Sequence, residues 1–384
     1  MQRILITGAR APVALELARH FAQAGFEVYV ADSVAMNLCR LSNSIKQFIH
    51  LPAPATALEA YCDALTRMIT LLKIELLVPT CEEIFYIAYL RANLPTTCQI
   101  FADDFSKLVG LHNKWQFQLL AKNSGVELPK TWLLQSQAEL LAQAPHAKQR
   151  VFKPVFSRFA AFTLIKPRLS QLVKNITPTV TKPWLAQEYL EGQEYCSYSI
   201  AKQGKLMAHV SYKPTYRFGQ GASIYFAAIA KPAILQFVSE FCARYQFTGQ
   251  IGFDFIQTTK GTLYVLECNP RATSGIHLLA QNADFFKAFL GELERPILAF
   301  KAKPRMLGLL MLTRLIGQAF TRQKRIGLDY TRAKDVIYSP HDLKPFLLQP
   351  LLLLQGLGQA LRHRTSVTAA TTLDIEWNGE FHDN

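Results

Sequence analysis

Two carboxylates and an amide lie close together in GQIGFDFIQTTKGTLYVLECNPRAT, residues 249–273. The apolar runs on either side of Lys260-Gly261 predict a hairpin, with Asp254 on its first strand and Glu267 and Asn269 at the end of its second. Side chains alternate across a strand, so Glu267 and Asn269 share a face, and the hairpin folds Asp254 back beside them. Three hard oxygen donors followed by Arg271 make a cradle suited to Mg²⁺ (or Mn²⁺) carrying phosphate. The bland alternative is a half-buried hairpin with a polar rim. It is disfavoured because acidic residues and Asn are poor strand residues and here end a strongly apolar run, LYVLECN.

Other residues extend this chemistry. Lys153 stands at the end of an apolar strand, VFKP, where it can neutralise phosphate, and Lys114 adds a second positive contact. A lone strand-end lysine is usually a solvated rim, but two of them beside a metal-type triad carry more weight. The stretch Gln187-Glu188-Tyr189-Leu190 offers an adenine hydrogen bonds from a side-chain amide and from backbone, and Glu194 offers a carboxylate to ribose hydroxyls. An ordinary edge strand reads the same way. Lys213, Tyr216, Arg217, Ser274 and His277 are candidate carboxylate-binding groups. His277, on an apolar helix, reads equally well as a satisfied core histidine.

The elements that must position these groups follow from periodicity. RILITG, a helix over Pro12–Ala24 stopped by Gly25, and FEVYVAD ending in Asp32 form a β-α-β unit with parallel strands. Apolar strand-like pieces at Leu76–Pro79 and Gln99–Ala102, with a helix around Glu83–Ala92 between them, continue an α/β sheet through roughly the first hundred residues. The first turn, Gly8-Ala9-Arg10-Ala11-Pro12, lacks the second and third glycines that let backbone approach a pyrophosphate, so dinucleotide binding is disfavoured there. Leu108–Gly125 reads as one helix carrying Lys114. Strands follow at Val151–Pro154, Pro183–Leu190, Tyr195–Ala201 and Lys205–Lys213, with a helix over Pro232–Tyr245 leading into the hairpin.

The order Lys114, VFKP with Lys153, QEYLEGQE, GFDFI and LECNPR resembles the ATP-grasp carboxylate–amine ligases, in particular their carbamoyl-phosphate-synthase-like branch. The resemblance covers residues 110 to 290 by motif and 1–105 by architecture. It implies an α/β protein with a Rossmann-like pre-ATP-grasp domain at 1–105 and an ATP-grasp domain at 106–300; residues 301–384, outside the resemblance, are expected to form a basic, apolar helical C-terminal extension. The resemblance further implies that Lys114 and Lys153 bind ATP phosphates, that Gln187, Glu188 and Leu190 line the adenine, and that Glu194 holds the ribose. Asp254, Glu267 and Asn269 would hold Mg²⁺, and Arg271 would stabilise the transferring phosphoryl group. The implied reaction activates a substrate carboxylate as an acyl phosphate, which an amine then attacks. One departure stands out: the flap after the KP lysine, Ser157–Phe162 in VFSRFAAFTLIKP, lacks the glycines the family usually has there. An ATP-binding regulatory protein that no longer turns over is therefore the alternative expectation.

Bulk properties fit this picture. The 384 residues exceed one ordinary core, and the net charge of +14, from 42 Lys and Arg against 28 Asp and Glu, suits anionic ligands. No basic arm or zinc-type spacing points to nucleic acid. Seven scattered cysteines without a CxxC pair read as reduced core thiols, which with an N-terminus unlike a signal peptide predicts a cytoplasmic location. From about Lys301 the chain changes: Met306–Phe320 is apolar at helical spacing, Thr321–Lys334 is basic, and Phe346–Leu361 is strongly apolar but broken by Pro350. Helices closing the core or forming a homodimer interface are expected there, ahead of a peripheral membrane contact. The ending DIEWNGEF has no assigned element.

Overall fold

The computed structural model describes residues 2–157, 162–218, 222–318 and 325–381. Strands and helices alternate at the start: β1 (Arg3–Thr7), α1 (Pro12–Gln23), β2 (Glu27–Asp32), β3 (Gln47–His50), α2 (Leu58–Leu72), β4 (Leu76–Val78), α3 (Glu83–Tyr89) and β5 (Gln99–Ile100). The five strands are parallel, in the order β3-β2-β1-β4-β5. Their runs are apolar on both sides because helices cover both faces. The strand order reverses between β1 and β4, the place where open α/β sheets bind ligands.

The predicted helix over Leu108–Gly125 is two helices, α4 (Phe105–His112) and α5 (Lys114–Leu120). Asn113 leaves the helical conformation and its Oδ1 accepts from the Trp115 and Gln116 amides at 3.0 and 2.9 Å, a side-chain N-cap that starts the second helix. Lys114 thereby becomes the first residue of a helix rather than a mid-helix side chain.

Next come β6 (Thr131–Leu134), α6 (Gln137–Gln143), β7 (Arg150–Pro154), β8 (Leu164–Ile165), α7 (Leu169–Asn175) and β9 (Trp184–Glu188). Their strands form an antiparallel sheet, β6-β9-β7-β8, over a small core of its own around Phe152, Ala186 and Leu172. The largest sheet has eight strands and is built mainly from β10 (Gly192–Lys202), β11 (Lys205–Pro214), β14 (Tyr225–Ile229), β15 (Gly249–Thr258) and β16 (Leu263–Asn269). A short hairpin, β12 (Arg217–Phe218) with β13 (Ala222–Ser223), precedes β14, and α8 (Pro232–Arg244) precedes β15. Leu5, Leu77 and Ile100 of the parallel sheet share one buried cluster with Phe253, Phe255 and Val265 of the large sheet. Ile4 and Val30 share a second with Tyr198 and Val210. The two sheets are thus held by common apolar cores.

The remainder comprises α9 (Ile276–Leu279), α10 (Lys287–Leu290), the short strands β17 (Ile297–Leu298), β18 (Arg305–Met306) and β19 (Lys334–Asp335), and the helices α11 (Gly308–Gln318), α12 (Arg325–Arg332), α13 (Lys344–His363) and α14 (Val367–Ala370). The expected break at Pro350 does not occur, and α13 runs through it. Proline leaves the carbonyl four residues back without its amide partner. Gln349 Nε2 donates to that carbonyl, Phe346 O, at 3.3 Å. The C-terminal helices close the core on one side only: α13 buries Leu348, Gln349, Gly356 and Ala360 while Leu347, Leu354 and Leu361 face outward.

Candidate functional site

The hairpin predicted around Asp254 is present, turning at Gly261 with φ of 88°. Asp254 and Glu267 are direct cross-strand partners, as are Gly252 and Asn269, and a register shift follows beyond Asp254. Glu267 and Asn269 therefore share a face, and Asp254 lies on it. Asn269 Nδ2 donates to Asp254 Oδ2 at 3.3 Å, and Asn269 Oδ1 accepts from Arg271 Nη2 at 3.1 Å.

Two lysines converge on the same carboxylate. Lys114 Nζ is 4.0 Å and Lys153 Nζ 3.8 Å from Glu267 Oε2. Lys153 comes from β7 of the four-stranded sheet and Lys114 from the start of α5, so the contact joins two sheets and a helix end. Both lysines are buried. Lys114 also donates to Ser157 O at 2.9 Å and to Ser157 Oγ at 3.1 Å, tying the root of the flap to the site.

Burial leaves these charges incompletely matched. It lowers the Lys114 ammonium to about 8, partly offset by Glu267, and it also lowers Lys153. Burial, then the neighbouring Glu267, pushes Asp254 up to about 7. Burial also raises the Glu267 carboxyl, but Lys114 and Lys153 outweigh it and hold the carboxyl below its usual range. A divalent cation between Asp254 and Glu267 would relieve their repulsion, and phosphate oxygens would satisfy the two lysines. The donor set thus fits a hard cation and a polyphosphate together. Among the described residues no group of three or more His, Cys, Asp or Glu side chains suits a metal, so the cradle rests on two carboxylates and one amide.

The adenine candidates divide. Val151 pairs with Gln187 and Lys153 with Leu185, so Gln187 lies on the sheet face that carries Lys153, and its Nε2 donates to Thr131 Oγ1 at 3.0 Å. Glu188 pairs with Arg150 on the opposite face; its carboxylate accepts from the Lys130 amide at 3.3 Å and its own N–H donates to Lys130 O at 2.8 Å. The Glu188 side chain thus points away from Lys153, because it is one residue out of phase with Gln187. Leu190 is half-buried just past β9.

Glu194 lies two residues along β10 from Cys196, the cross-strand partner of Asp254, so it shares the face of the triad. Its carboxylate forms an ion pair with Arg217, which brings the ribose candidate and one substrate candidate together. The other substrate candidates are elsewhere. Tyr212 pairs with Cys196, so Lys213 falls on the reverse face, with its Nζ 5.6 Å from the Tyr195 ring centre. His277 Nδ1 lies 2.7 Å from Glu16 Oε2, buried between α9 and α1 and stacked near Phe226. It is a structural histidine in this arrangement. Residues 158–161 of the flap, including Arg158, and residues 219–221 of the second loop lie outside the described residues.

The contacts of Glu82 and Trp377 escaped the sequence reading. Arg271 Nε is 3.8 Å from Glu82 Oε1, so the first residues after β4 reach the large sheet's site. Trp377 donates its backbone N–H to Glu82 Oε2 at 3.1 Å, stacks on Phe85 at 4.8 Å and meets Phe156 at 5.3 Å. A Cβ on Gly379 would stand 2.6 Å from the Phe156 ring, so the C-terminal segment packs directly on the flap root. An acidic pair after an apolar strand, VPTCEE, was the available signal for Glu82.

Residues 111–275 match the family model described as an ATP-grasp domain. N5-carboxyaminoimidazole synthetase from Staphylococcus aureus superposes with a TM-score of 0.63 at 15% identity, over 83% of this chain and 86% of that one. The L-amino acid ligase of Bacillus licheniformis gives 0.58 at 17% identity, over 77% and 78%. The biotin carboxylase domain of Hydrogenobacter thermophilus 2-oxoglutarate carboxylase, solved with MgADP and bicarbonate, gives 0.59 at 13% identity, over 77% and 71%. No curated protein matches the sequence. The fold is the ATP-grasp fold preceded by a Rossmann-like sheet, as the motif order implies.

Proposed function

With an ATP-grasp domain at 111–275 as the premise, we propose that this protein binds ATP with Mg²⁺ (or Mn²⁺) and uses it to join a substrate carboxylate to an amine. The observation that carries the proposal is the convergence of Lys114, Lys153 and Asp254 on Glu267 where the four-stranded sheet, the start of α5 and the large sheet meet. Structural neighbours named as ligases and carboxylases support the reaction class.

Lys114 and Lys153 neutralise the phosphate chain, and Gln187 lies on the sheet face beside them for the base. The Leu190 backbone supplies the remaining adenine contact. Glu194, freed from Arg217 or sharing it, accepts from ribose hydroxyls. Asp254, Glu267 and Asn269 would hold the cation, which when bound would supply Lewis-acid charge neutralisation to the phosphate chain. The substrate carboxylate attacks the γ-phosphorus; the bond from phosphorus to the β–γ bridging oxygen breaks and ADP leaves. Arg271, braced by Asn269 and Glu82, stabilises the charge that builds as two anions meet. The amine then attacks the acyl carbon, phosphate departs with the bond electrons, and the amine proton passes to phosphate or solvent.

Phosphate release from ATP, screened against pools of carboxylic acids and amines, tests the assignment. Substrate-stimulated release that requires both partners supports it. ATP binding without stimulated release by any pool would replace it with the regulatory reading that the glycine-free flap favours.

A further inference from the structure

The polarity of α13 is inverted. Its inward side carries Pro345, Leu348, Gln349, Gly356 and Ala360, whereas leucines occupy the outward side. Leu347 is 71% exposed, Leu354 65% and Leu361 81%, with Leu343, Leu351 and Leu357 also in solvent. At 100° per residue all six fall in an arc of roughly 120°. Gly358 lies in the same arc, with open space around its Cβ position. A helix normally turns such an arc inward. Here Phe346 and Leu352 already make the contacts with the core, and among the described residues the leucine arc stays exposed.

Charge identifies what covers it. α13 contains no Asp or Glu, and Lys344 at its start and Arg362 and His363 at its end frame the arc with basic groups. On the same angular count Lys344 and Arg362 both border one edge of the leucine arc. Arg364 caps the helix, and the chain as a whole carries +14. A second copy would set these like charges against one another. Protein hot spots favour Trp, Tyr and Arg and under-use Leu, because specific pockets reward rigid, amphipathic anchors. Leucines entering acyl chains need no such pocket, and basic flanks meet anionic headgroups. No described helix is long and apolar enough to cross a membrane, so the helix would lie in the interface plane.

We propose that α13 docks this protein on an anionic lipid surface, with Leu343, Leu347, Leu351, Leu354, Leu357 and Leu361 entering the acyl boundary and Lys344 and Arg362 on the headgroups. The inference does not rest on the ATP site, so either can fail without the other.

Co-sedimentation of the full chain with phosphatidylglycerol-containing vesicles, against pure phosphatidylcholine vesicles, tests it. Binding is expected to the anionic vesicles only, to weaken with salt, and to fall on the order of 30-fold or more in Lys344→Glu/Arg362→Glu. Leu347→Asp/Leu354→Asp should abolish it while the circular dichroism spectrum and thermal transition persist. As a second readout that does not depend on that variant folding, the dansyl fluorescence of Leu354→Cys labelled at that position should shift to the blue on anionic vesicles. Absence of vesicle binding, equal binding to neutral vesicles, or a dimer in sedimentation velocity that dissociates in the leucine variant would each overturn the proposal.

Discussion

Two buried charge clusters stand at the crests of two sheets, and they differ in whether they satisfy themselves. At the switch point of the parallel sheet, Arg10 bonds both oxygens of Asp32 and both oxygens of Asp374, and it also reaches Ser33 Oγ at 2.9 Å and Thr371 O at 2.8 Å. Asp32 in turn accepts from the Arg10 and Val34 amides. The crevice where a dinucleotide would lie is occupied by the chain's own C-terminal segment. At the large sheet, Lys114 and Lys153 reach Glu267 only at 4.0 and 3.8 Å, and Asp254 is pushed up to about 7. In the proposed reading the first cluster, which closes on itself, is architecture, and the second, whose charges are incompletely matched, is the site.

The difference gives graded predictions. Glu267→Gln removes the carboxylate on which the site converges; we expect roughly a thousandfold loss of turnover with the fold intact, read by steady-state phosphate release and circular dichroism. Unchanged turnover would erase the distinction. Arg10→Met strands the carboxylates of Asp32 and Asp374 and should cost about 3 kcal/mol in denaturant unfolding while leaving nucleotide affinity as it was. Adding Asp374→Asn should recover part of that loss. Lys153→Met should weaken nucleotide binding on the order of 30-fold without a comparable loss of stability, the converse of Arg10→Met.

The smallest effect concerns pH. Asp254 sits at about 7 against an ordinary 3.8, so between these values the folded chain holds a proton that the unfolded chain has released. Metal-free stability should therefore fall as pH rises through that window. Asp254→Asn should flatten the profile and leave the metal-free protein on the order of 2 kcal/mol more stable than wild type at about pH 8. In wild type, Mg²⁺ should raise Tm most strongly above pH 7, and in the variant it should not.

What the sequence made legible follows from locality. Asp254, Glu267 and Asn269 are joined by one hairpin, so strand alternation alone places them together. Lys153 and Gln187 share a face by register, but Glu188 is one residue out of phase and could not be told from Gln187 without the pairing of β7 with β9. Lys213 is displaced by the same one-residue parity, set by the pairing of Tyr212 with Cys196. Glu82 and Trp377 meet Arg271 and Phe156 across long separations that no periodic pattern reports. The apolar character of α13 was plain in its residues. Which face turned outward depended on the neighbours it packs against.

The central claim is that the strained cluster, not the closed one, takes the nucleotide. Calorimetric titration of ATP with Mg²⁺ into wild type, Lys153→Met and Arg10→Met tests it most directly. The account predicts one Mg²⁺-dependent site, severely weakened in Lys153→Met and retained in Arg10→Met. Binding that survives Lys153→Met at full affinity, or that disappears in a folded Arg10→Met, would contradict it.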